Sequence, residues 1–85
     1  MNDTAIIDFI NQKENQTMQI EVPLDITANE LIFAMNQIFS LGFDMENIYD
    51  CYLTAENPIA FLKGTKTLGE FGIHDGSYVI FRERI

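Results

Sequence analysis

At 85 residues, with 47% hydrophobic content and seven Phe, the chain suits one globular domain (residues 1–85) and leaves no room for two. Five Lys/Arg stand against 13 Asp/Glu, a formal net charge of −8, which argues against nucleic acid and against docking on anionic lipid through a basic face. Cys51 is alone, which excludes an intrachain disulfide and a cysteine-rich metal framework.

Residues 4–10 predict the first strand. Asp8 should not face a core, so parity puts Ala5, Ile7 and Phe9 inward and Ile6 outward. Residues 11–16 are polar and turn-like, and Met18, Ile20 and Val22 then alternate with Gln19 and Glu21 as a half-buried second strand. Pro23 ends it, because proline cannot donate to a ladder. The two strands make a hairpin.

Residues 27–39 predict the one helix. Thr27 can cap its first turn, with Glu30 at the reciprocal capping-box position. Ala28, Leu31, Ile32, Met35, Ile38 and Phe39 share one face, and Phe33 points away from it. Gly42 marks the helix exit. Residues 48–54 predict a third strand, with Tyr49, Cys51 and Leu53 inward and Ile48 and Tyr52 outward. After the turn at Glu56-Asn57-Pro58, residues 59–62 form a short fourth strand closed by Lys63-Gly64.

The stretch at 67–81, T-L-G-E-F-G-I-H-D-G-S-Y-V-I-F, organises the whole. Gly69 and Gly72 break an apolar run into a tight turn that lays Leu68, Phe71 and Ile73 on a core, and Asp75-Gly76 turns the chain into a last strand at Tyr78-Val79-Ile80-Phe81. The order is two strands, a helix, two strands, a short helical turn and a final strand. That predicts an α+β fold, a mixed sheet with the helix packed on one face.

This pattern resembles the ubiquitin-like β-grasp superfamily over essentially the whole chain. Thr17-Met18-Gln19-Ile20-Glu21-Val22-Pro23 with Thr27 opening the helix looks like ubiquitin's second strand and helix start, and residues 66–73 resemble its segment leading to the fifth strand. Within the superfamily the chain is most similar to the YukD/EsaB group, bacterial cytosolic proteins associated with type VII secretion. The similarity lies in D-I-T-A-N-E-L-I at 25–32, in L-G-E-F-G-I-H-D-G-S-Y at 68–78, and in the length and apolar ending. It implies an accessory role at a membrane-bound secretion machine, with no catalytic residues and no cofactor. The chain departs from ubiquitin and the sulfur carriers at its ending, Phe81-Arg82-Glu83-Arg84-Ile85, which lacks their Gly-Gly. That ending disfavours a modifier or sulfur carrier; a structural subunit of a larger complex is the other alternative. One cysteine cannot hold the four-thiolate cluster of the fold's ferredoxin branch.

Catalytic readings fare poorly. His74-Asp75 is a neighbour pair in a turn, which seldom gives base-and-orienter geometry, and Cys51 reads as a small core residue. Asp44 and Glu46 read as solvated loop charges. The acidic opening Met1-Asn2-Asp3 precedes too short an apolar run for a signal peptide, and no stretch approaches the ~20 apolar residues of a membrane span. A cytoplasmic, non-enzymatic protein-binding module is therefore expected.

The expected binding residues are Ile48, Tyr52, Tyr78, Ile80 and Arg82, sent outward by parity on neighbouring third and fifth strands, with Phe33 as a second site for weak self-association. On this reading Ile80→Asp and Tyr52→Asp leave folding intact and abolish partner capture.

Overall fold

Alternation decides the first hairpin. In the computed structural model, which describes residues 3–82, β1 (Thr4–Asn11) buries Ala5, Ile7 and Phe9 and leaves Ile6 half exposed. β2 (Gln16–Pro23) pairs with it antiparallel from Thr4↔Pro23 to Asn11↔Gln16, burying Val22 and partly burying Met18 and Ile20. Residues 1–2 and 83–85 lie outside the described residues, and with them most of the acidic opening and of the glycine-free ending.

α1 (Ala28–Phe39) starts on the predicted capping box. Thr27 Oγ1 accepts from the Glu30 N–H at 3.1 Å, and Glu30 Oε1 accepts from the Thr27 N–H at 2.9 Å. Ala28, Leu31, Ile32 and Met35 are buried, and the Phe39 ring stacks on Phe9 at 5.1 Å. Ile38, placed on the buried face by its spacing, is 68% exposed. It sits at the margin of the apolar stripe in the last turn, where Phe39 makes the core contact instead. The helix ends at Ser40, whose left-handed backbone (φ 52°) brings its N–H to Asn36 O, so the exit precedes Gly42.

The predicted third strand is where the structure differs most. Residues Met45–Asp50 form a short 3-10 segment, and β3 (Leu53–Glu56) starts only afterwards. The Asp44 carboxylate caps the first turn, accepting from Glu46 N at 3.0 Å and Asn47 Nδ2 at 2.7 Å, and after a kink at Asn47 a second turn closes with Cys51 N on Ile48 O at 3.0 Å. Tyr49 is consequently exposed rather than inward, and Ile48 is half-buried against the core rather than outward. Cys51 and Leu53 are buried as expected.

β4 (Ala60–Leu62) pairs antiparallel with β3, and β5 (Tyr78–Phe81) lies between β1, parallel, and β3, antiparallel. The five-stranded sheet has the order β2-β1-β5-β3-β4, with the apolar core between one face and α1.

The segment before β5 locks that strand in the middle. A second capping box, Thr67 with Glu70, winds a turn that buries Leu68 and Ile73. Leu68 N and Gly69 N donate to Ile26 O and Leu24 O, each at 2.9 Å. Asp75 Oδ1 then accepts from Ile6 N at 2.8 Å, and Gly76 N donates to Ile6 O at 2.9 Å, aligning β5 with β1. Ser77, fully buried, donates to Asn57 O at 2.7 Å and accepts from His74 N at 3.0 Å.

Candidate protein-binding face

Strand register lays out the sheet face turned away from α1. One row across it runs Thr17, Ile10, Ile80, Thr54, Phe61. The next runs Gln19, Asp8, Tyr78, Glu56, and Glu21 lies beside Ile6 in the row beyond. Aromatic area is concentrated toward the β4 edge, where the Tyr52 and Phe61 rings meet edge-to-face at 5.7 Å. Phe61 is 67% exposed, Tyr78 41% and Tyr52 36%.

The expected binding residues fall into two groups. Tyr52, Tyr78, Ile80 and Arg82 belong to this sheet face. Ile48 does not: with Phe33 it lines a shallow groove between α1 and the 3-10 segment, together with Met45, Asn29 and Glu30. Phe33 is exposed there, as its helical position predicts.

Ile80 is on the expected face but at 5% exposure is not available to a partner. β5 is central, so Ile10 and Thr54 flank Ile80 on both sides. Along the strand, Arg82 reaches back over the same row to Glu56, Nη2 to Oε2 3.6 Å, with both side chains about half exposed. Parity alone does not show this cover.

Phe61 was missed by sequence reasoning, as was Ile59, 90% exposed in the turn before β4; Ile6 is outward as parity predicts, though not among the expected binding residues. No local signal marks Phe61: only the register of β3 with β4 puts it opposite Thr54, on Tyr52's face.

The other candidates are occupied structurally. Asp75 holds Ile6 N rather than orienting His74, whose Nδ1 lies 2.8 Å from Asp75 O. The buried Cys51 thiol donates weakly toward Asp44 O and Asn47 O, at 3.6 and 3.5 Å. Asp44 is the cap described above. Among the described residues no group of three or more His, Cys, Asp or Glu could hold a metal ion, and no helix is long and apolar enough to cross a membrane.

No family model matches the chain, and no curated protein matches it by sequence. Solved structures do match. The ubiquitin-like domain of tubulin-binding cofactor B is similar with a TM-score of 0.72 at 14% identity, over 94% of this chain and 89% of that one. The C-terminal ubiquitin-like domain of mouse tubulin-specific chaperone e gives 0.71 at 10% identity, over 93% and 84%. The UBL domain of yeast Ddi1 gives 0.67 at 20% identity, over 96% and 91%. At these identities the likeness is one of fold. Together with the mixed five-stranded sheet and its single principal helix, it defines the fold as the ubiquitin-like β-grasp.

Proposed function

We propose that residues 1–85 form a single non-catalytic, non-conjugating ubiquitin-like interaction module, a cytosolic accessory of a bacterial type VII secretion system of the YukD/EsaB kind. The observation that carries the binding reading is the Tyr52–Phe61–Tyr78 surface, aromatic side chains left in solvent on a sheet face that α1 does not cover. The secretion reading is supported by the two stretches that carry the resemblance. They lie at 25–32 and 68–78, where D-I-T-A-N-E-L-I and L-G-E-F-G-I-H-D-G-S-Y resemble that group.

The partner is a protein belonging to the cytoplasmic part of the membrane machine. The Phe33 groove is a second surface, for weak self-association. Capture from the source cell with wild-type, Phe61→Ser and Tyr78→Ser baits tests the reading. A secretion-machine component retained by wild type and lost from both variants is expected. Equal capture by all three baits overturns the face, and covalent adenylation by an activating enzyme with ATP overturns the non-conjugating role.

A further inference from the structure

From the charges interleaved with this face, and resting on the binding reading above, we infer the class of its partner: a basic amphipathic protein segment, apolar along one side and flanked by Lys or Arg. Tyr78 sits between two carboxylates, Asp8 on the β1 side and Glu56 on the β3 side. Glu21 adjoins the exposed Ile6. Glu56 is paired with Arg82 at the far end of the same face. Neither Asp8, half-buried, nor Glu21, exposed, has an ion pair among the described residues; Glu21 Oε2 accepts only a neutral hydrogen bond, from Thr4 Oγ1 at 2.7 Å.

Apolar anchors set beside uncompensated carboxylates select for a partner of opposite charge. Like charges juxtaposed across an interface cost affinity, and complementary ones speed encounter. A second copy of this chain, itself at −8, would bring Asp8 and Glu21 against an equally acidic surface. An acidic or phosphorylated segment meets the same objection. A cationic segment can lay its apolar stripe on Tyr78, Ile10 and Phe61 and its cations on the carboxylates.

Glu30 and Glu46 provide a control, being carboxylates on the opposite side of the molecule, near the Phe33 groove. Two synthetic peptides serve as probes: one with leucine along one helical face and lysine along the other, and its counterpart with glutamate for every lysine. Titrations are followed by amide chemical shifts in the intact chain. The lysine peptide is expected to shift Asp8, Ile10, Glu21 and Tyr78 amides and to bind more weakly as salt rises. Asp8→Asn/Glu21→Gln should weaken it about fivefold or more. Glu30→Gln/Glu46→Gln, which removes the same net charge and keeps a capping side chain at residue 30, should leave it within about twofold. Equal affinity for both peptides, equal loss in the two double variants, shifts confined to Phe33 and Ile48, or no binding at all overturns the inference. Tighter binding of the glutamate peptide to the same amides overturns the charge class and leaves the binding face standing; wild-type capture by Phe61→Ser and Tyr78→Ser removes the face itself.

Discussion

Two residues on one strand show how depth and face separate. Tyr78 and Ile80 share the outer sheet face, yet Tyr78 is 41% exposed and Ile80 5%. A carboxylate at position 80 would be held between Ile10 and Thr54, with water largely excluded. Ile80→Asp is therefore expected to destabilise the fold by roughly 3 kcal/mol or more, whereas Tyr78→Asp, open to water but set between Asp8 and Glu56, should cost about 1–2 kcal/mol. Urea titrations of the two variants check this, and equal midpoints would show Ile80 to be open after all. Glu70 is a residue-scale case of a different kind. The Thr67 N–H and then the Thr67 hydroxyl hold its carboxyl below the ordinary glutamate range, outweighing desolvation, with the Lys66 charge the least of the contributions. A depressed folded-state pKa means the carboxylate helps stability above its unfolded value. That help disappears as pH falls through the depressed value. The Glu70 carboxyl carbon, followed by NMR, should titrate below ordinary glutamates, and Thr67→Val should raise its midpoint part of the way while the Thr67 N–H bond persists.

At the level of elements, the two Thr-x-x-Glu turns belong together. Thr27 and Thr67 pair across an isolated antiparallel bridge, so the start of α1 and the turn before β5 are fastened side by side. Gly69 makes that contact possible. A Cβ there would stand 3.2 Å from Leu24 O, the oxygen that Gly69 N already holds at 2.9 Å, so Leu24 cannot retreat without stretching the bond. Gly69→Ala should cost about 1–3 kcal/mol, measured by thermal or urea unfolding, with a neutral result meaning that the turn yields. The capping box, hairpin parity and the β5 turn were legible because each is set by side chains a few residues apart. The segment at 45–50 was not. I-Y-D-C-Y-L-T satisfies strand alternation, but residues 45–50 wind into two short 3-10 turns about a kink at Asn47, the first capped by Asp44 and the second closed by Cys51 N on Ile48 O at 3.0 Å. The candidate face was half legible for a related reason: parity gives a side for Tyr52, Tyr78 and Ile80. It does not give the register that adds Phe61, the flanking that buries Ile80, or the turn that carries Ile48 to the Phe33 groove.

The whole molecule spreads a net −8 over a Cα radius of gyration of 11.8 Å, with one ion pair among its described residues, the half-exposed Arg82–Glu56 contact. Exposed pairs of that kind contribute about 0–1 kcal/mol, so salt has little attraction to screen and much repulsion. At roughly 0.01 M salt the screening length is about 30 Å and every carboxylate acts on every other; at roughly 0.15 M it is about 8 Å and only neighbours do. The unfolded chain holds the same charges further apart, so screening favours the folded state. The urea midpoint at pH 7 should therefore rise as sodium chloride increases over that range, with urea chosen because it adds no ions. Asp8→Asn/Glu21→Gln, which removes two of the crowded outer-face charges, should flatten the rise. A midpoint that falls with salt would mean that attractive pairs dominate the surface, and Asp8 and Glu21 would then lose their reason to select a basic partner.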